Sequence, residues 1–202
     1  MRTPRQSLLT LLAVVVAACG GKDATKVVTP ASITAGATSS GLTATVGTAL
    51  ATAPTFVVKD AAGNVLTGVP VTVTVASGAG TITGAPTTTG SGETSVGVWK
   101  MGNIAGRNTL SVSVGSVPAL IISATGTPGA AASIAVLSGN NQSGLGGTVV
   151  PTAIRFKVSD QFGNGVPSTP VAFSISGGNG FLSGSANVST DSTGAATAPF
   201  WT

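Results

Sequence analysis

The chain has 202 residues, of which only 7% are charged, with nine Lys and Arg against five Asp and Glu, no His, no Tyr and one Cys. An ordinary globular protein carries roughly 25% charged residues. The few basic residues form no stripe that could track phosphates, so nucleic-acid binding is excluded, and the lack of His removes Ser–His triads and His metal ligands.

The first residues predict an export signal. Arg2 and Arg5 precede the apolar run Ser7 to Ala18, which falls short of the ~20 residues a bilayer-spanning helix needs. Val16-Ala17-Ala18-Cys19-Gly20 ends the run and resembles the bacterial lipobox. The resemblance implies cleavage before Cys19 and acylation of both its thiol and its new amino group. More than one acyl chain gives stable membrane attachment, since each buried methylene contributes about 0.8 kcal/mol. Gly20, rather than Asp, favours an outer-membrane or cell-surface destination. Residues 1–18 are therefore read as a lipoprotein signal and 19–28 as a flexible tether.

From residue 29 the chain repeats itself after about a hundred residues. Phe56-Val57-Val58-Lys59-Asp60 and Gly63-Asn64 return as Phe156-Lys157-Val158-Ser159-Asp160 and Gly163-Asn164. Pro70-Val71, Gly78, Gly80 and Gly84 match Pro170-Val171, Gly178, Gly180 and Gly184 without a gap. Such a self-match indicates one domain type used twice, here 29–127 and 128–202. Apolar residues alternate in both copies, placing Phe56, Val58, Ile154, Phe156 and Val158 inward and Lys59, Arg155 and Lys157 outward. The next strand repeats the pattern, with Val71, Val73 and Val75 matched by Val171, Phe173 and Ile175. Asp60 to Asn64 and Asp160 to Asn164 read as turns, because Asp bonds nearby backbone NH groups and Gly-Asn tolerates left-handed conformations.

Thr94 to Trp99 is a further strand with Val96 and Val98 inward, and Ala196 to Trp201 is its copy, with Ala198 and Phe200 inward. Copy one continues with strands at Asn108–Val114 and Ala119–Ala124. Short strands at this spacing, without helical periodicity, predict an all-β chain of tandem immunoglobulin-like β-sandwich domains. The counterparts of residues 101–127 are not in copy two. The second domain is therefore expected to be incomplete by its last two strands, the chain to be a fragment of a longer protein, and copy two expressed alone to be unfolded or aggregated.

The pattern Asp60, Gly63, Asn64, Pro70, Gly78, Gly80, Thr89, Gly92, Trp99, with Asp160, Gly163, Asn164, Pro170, Gly178, Gly180, Asp191, Gly194 and Trp201 in the second copy, resembles bacterial Ig-like domains of the invasin/intimin type, group 1. The resemblance implies rod-forming domains that project a tip from the cell surface. The outer-membrane barrel and lectin-like tip of invasins and intimins have no counterpart here, so their receptor binding does not carry over.

No catalytic, metal or cofactor site is assigned. Asp60 and Asp160 read as turn formers, and Glu93 has no acidic match in copy two, where Ala195 stands. Phe162 and Phe181 stand where copy one has Ala62 and Thr81, which makes them the candidates for an exposed contact. Trp99 and Trp201 have the opposite parity to Val96 and Val98, which places them outward, either as contact platforms or as packing against an adjacent strand or domain. The function expected is a non-catalytic, monomeric, lipid-anchored spacer or adhesive stalk. The alternatives are a binder of surface polysaccharide or host protein through sandwich loops, and a spacer for an enzyme lying beyond residue 202.

Overall fold

The computed structural model describes residues 29–202, so the export signal, Cys19 and the tether lie outside the described residues. Every regular element among the described residues is a strand, and no helix there is long and apolar enough to cross a membrane.

Copy one holds nine strands: β1 Ser32–Ala35, β2 Leu42–Thr45, β3 Thr55–Lys59, β4 Thr72–Ser77, β5 Thr81–Thr83, β6 Thr94–Ser95, β7 Val98–Lys100, β8 Gly106–Val114 and β9 Val117–Thr127. One sheet runs β1-β3-β6 and the other β2-β9-β8-β4, with β5 and β7 paired separately. The β8–β9 hairpin is the longest ladder, running from Gly106↔Gly126 to Val114↔Val117. Alternation along β3 buries Phe56 and Val58 against Trp99, Leu110, Val112 and Ile122 from the facing elements. This is the sandwich solution for strands with one apolar face.

Copy two has β10 Ser133–Ser138, β11 Arg155–Ser159, β12 Pro170–Ala172, β13 Asn187–Ser189 and β14 Ala195–Thr197, in sheets β10-β11-β14 and β12-β13. No sheet mixes strands from the two copies. The chain is thus an all-β tandem of β-sandwich domains joined by residues 128–132. The core of copy two is smaller: Val158, Val171 and Ala196, with Val166, Phe173 and Val188 against them. Phe156 and Phe173 meet with ring centroids 5.3 Å apart.

The parity expected around Trp99 is corrected. Val96 is buried, but Val98 is exposed and Trp99 has no exposed surface. Gly97 is the cause. Its φ of +91° breaks the strand between β6 and β7, which shifts the alternation by one residue. A Cβ there would lie 2.6 Å from the Thr83 carbonyl oxygen. In copy two, Phe200 is likewise exposed rather than inward.

Candidate functional site at the domain junction

The turn after β11 is built by one side chain. Asp160 Oδ1 accepts the N–H groups of Phe162 and Asn164, each at 2.9 Å. The Asp160 N–H donates to the Asn164 carbonyl, and Gly163, at φ +85°, donates back to the Asp160 carbonyl. Asn164 Nδ2 donates to Asp160 Oδ2 at 2.9 Å. The turn after β3 repeats this bonding, with Asp60 Oδ1 accepting from Ala62 and Asn64 at 2.9 Å and Gly63 at φ +84°. Both copies therefore encode the same self-bonded Asx turn.

Among the described residues, the second turn meets the other domain. Asn164 Nδ2 also donates to the Asn103 carbonyl at 2.8 Å, and the Ala105 N–H donates to Asn164 Oδ1 at 2.8 Å. Residues 101–105 form the loop between β7 and β8, so one side-chain amide of copy two clasps two backbone groups of copy one. Asn164 is half-buried, whereas Asn64 is exposed. Phe162 leans on the same end of copy one. Its ring atoms lie 3.2 and 3.3 Å from where a Cβ on Gly47 would stand. Gly47 has φ +73°, so that position combines a left-handed turn with a close approach.

The link between the domains is short and fastened at both ends. Val46 N–H bonds the Thr127 carbonyl, and Gly47 N–H bonds the Gly102 carbonyl. Parallel pairing of β2 with β9 ends at Thr45↔Thr127. Pro128 fixes its own φ, and the Gly129 N–H donates to Asp160 Oδ2 at 2.9 Å. Asp160 thus holds its own turn and the linker at once. Burial pushes its carboxyl pKa up, but the hydrogen bonds from the Asn164 side chain and from the Gly129, Asn164 and Phe162 amides outweigh this. The pKa consequently lies below the ordinary carboxylate value, and the group is ionised at neutral pH.

The remaining sequence candidates are dispersed. Phe162 belongs to the junction and is 40% exposed, while Phe181 is well exposed elsewhere on copy two. Trp99 is not at the surface: it fills the core of copy one beside Gly80, where a Cβ would lie 3.2 Å from Nε1. Trp201 makes the matching approach to Gly180 but stays 38% exposed. Cys19 lies outside the described residues. Glu93 accepts from Thr55 Oγ1 and the Ala37 N–H, and Asp191 accepts from Thr193 and Ala195, so both carboxylates fasten loops. Among the described residues no group of three His, Cys, Asp or Glu could hold a metal ion.

No protein-family model and no curated protein sequence matches the chain. It is similar in structure to an Escherichia coli adhesin, FdeC, with 17% identity and a TM-score of 0.45, over 85% of this chain and 54% of that one. It is also similar to the D0-D1 domain of intimin, at 18% identity and a TM-score of 0.36, over 85% and 83%. Domains 5–6 of the S-layer protein SbsC give 18% and 0.40, over 85% and 91%. The chain spans about half the length of the FdeC structure. Likeness at this level of identity assigns no activity.

Sequence reasoning missed Gly47, Asn103, Ala105 and Gly129. Asn103 and Ala105 contribute backbone atoms, which leave no residue signature. The signal that existed was Phe162, an aromatic where copy one has Ala62.

Proposed function

We propose that this chain is a non-catalytic, lipid-anchored spacer of the bacterial cell surface, in which tandem β-sandwich domains stack into a stiff stalk. The observation that carries this reading is the clasp of Asn164 on Asn103 and Ala105, with Phe162 over Gly47. A two-point polar clasp plus an apolar prop, across a link of five residues, opposes both bending and twisting. Support for the non-catalytic part comes from Glu93, Asp160 and Asp191, each of which fastens a turn or loop.

Anchoring rests on Val16 to Gly20. Acylation and cleavage at Cys19 would tether the first domain to the membrane, and Cys19→Ser must then lose both membrane fractionation and labelled palmitate. Stiffness is tested on residues 29–202 by electron–electron distances between spin labels on Ser91→Cys and Asn179→Cys. A single narrow distance distribution supports the stalk. A broad one, as from freely jointed domains, refutes it.

A further inference from the structure

The asparagine that clasps copy one is followed by glycine, which makes the clasp chemically labile. Asn164-Gly165 stands where copy one has Asn64-Val65. The fold imposes that glycine. A Cβ on Gly165 would collide with the Thr193 carbonyl oxygen, and the Gly194 nitrogen lies 3.1 Å from the same point. Val65 meets no such wall and is 42% exposed.

The backbone nitrogen that follows an asparagine can attack its Cγ. The new N–C bond closes a succinimide ring, the Cγ–Nδ2 bond breaks, and Nδ2 leaves as ammonia. Water then opens the ring at either carbonyl, leaving Asp or its β-linked isomer. A branched side chain such as Val65 crowds the attacking nitrogen, whereas Gly165 leaves it bare. Among the described residues the Gly165 N–H donates to no acceptor, so the attack gives up no hydrogen bond of that atom. A groove of about 530 Å³, bordered by Asn164, Gly165, Lys157 and Thr193, admits the water.

Docking holds this reaction off. Asn164 Nδ2 donates to the Asn103 carbonyl at 2.8 Å and to Asp160 Oδ2 at 2.9 Å, while Oδ1 accepts from the Ala105 N–H at 2.8 Å. Ring closure turns the amide onto Gly165 N, and it cannot turn without leaving both partners in copy one. Conversion is also one-way. A carboxylate oxygen in place of Nδ2 would face the Asn103 carbonyl and the Asp160 carboxylate with no proton to donate. Acceptor then meets acceptor and charge meets like charge, so the clasp does not re-form.

We propose that Asn164-Gly165 is a deamidation site gated by domain docking, at which loss of ammonia turns the clasp irreversibly into a loose joint. The docked joint preserves its amide, and each excursion to the undocked state opens it to attack. The gating rests on the same clasp as the stalk reading, and not on the membrane anchor.

The test holds residues 29–202 at mildly alkaline pH, where more of the amide nitrogen is deprotonated, and follows three asparagines by peptide mapping and mass spectrometry. Asn179-Gly180 is the ungated reference, because Asn179 is exposed and its side chain makes no hydrogen bond among the described residues. Asn179 should convert first, Asn164 roughly thirtyfold or more slowly, the factor the two clasp bonds supply, and Asn64 scarcely at all. Phe162→Ala loosens docking, and the turn accepts it because Ala62 stands there in copy one. It should speed conversion of Asn164 about fivefold or more and leave Asn179 unchanged. In chains labelled at Ser91→Cys and Asn179→Cys, Asn164→Asp should spread the distance distribution as conversion does. Asn164 converting as fast as Asn179, no acceleration by Phe162→Ala, or a narrow distribution in labelled Asn164→Asp each overturns the proposal while leaving the stalk reading in place. A broad distribution in the fresh parent chain is the separate result that overturns the stalk reading, and the gating with it.

Discussion

Asn164→Ala removes the clasp while leaving the fold of each domain standing. Two hydrogen bonds cross the junction through this side chain, Asn164 Nδ2 to Asn103 and Ala105 N–H to Asn164 Oδ1. At a net value of about 1 kcal/mol each, docking weakens by about 2 kcal/mol. That figure corresponds to roughly a thirtyfold fall in the ratio of docked to undocked junctions. The repeat provides a matched control. Asn64→Ala removes the same side-chain bonds within the turn, from Asn64 Nδ2 to Asp60, but among the described residues Asn64 makes none to the other domain. Both variants should lower the unfolding free energy of their own domain by about 1 kcal/mol. Only Asn164→Ala should broaden the distance distribution between labels at Ser91→Cys and Asn179→Cys. Equal broadening by the two variants, or none by Asn164→Ala, would refute the assignment of the junction to this residue.

Trp99→Ala should cost about 3–5 kcal/mol in chemical denaturation, as expected for a fully buried aromatic, whereas Trp201→Ala should cost under about 1 kcal/mol. Gly97→Ala places a Cβ 2.6 Å from the Thr83 carbonyl oxygen at φ +91°. It should destabilise copy one by at least about 2 kcal/mol, while Gly92→Ala, with open space around it, stays within about 0.5 kcal/mol. Acid should loosen the junction late. The Asp160 carboxyl is depressed below its ordinary value, so its contribution is fully present above about pH 4 and is lost as pH falls further. With no His in the chain, label distances should hold from pH 8 to pH 5 and spread only below about pH 4; spreading between pH 7 and pH 5 would contradict this.

The sandwich was legible where alternation runs unbroken. Phe56 and Val58 are buried as their period of two requires, and so is Val71 with its match Val171. Legibility failed at one residue in the 94–99 strand. Gly97 can be read as an ordinary strand glycine, but it sits at positive φ against the Thr83 and Gly84 carbonyls, a contact across the β5–β7 pair that the alternation does not reveal. From that point every side chain changes face, so Trp99 moves from the expected surface into the core.

The junction was illegible for a different reason. The Asp, Gly and Asn that build the Asx turn are the same in both copies, so nothing in those three residues distinguishes a turn that ends a strand from a turn that grips a neighbour. What differs is the setting. The second turn follows a complete sandwich whose 101–105 loop presents the Asn103 carbonyl and the Ala105 N–H to Asn164. A turn already closed by its own Asp has little conformational entropy left to lose on docking, so the same Asp, Gly and Asn can serve as local structure and as interface. Of the two residues that differ in the second turn, Gln161 for Ala61 and Phe162 for Ala62, Phe162 is the one that lies against Gly47. If that is its role, Phe162→Ala should widen the label distances as Asn164→Ala does, and the double variant should widen them little beyond the stronger single one, because both act on one docking step. Widening that simply adds would mean that the aromatic ring and the amide hold separate motions.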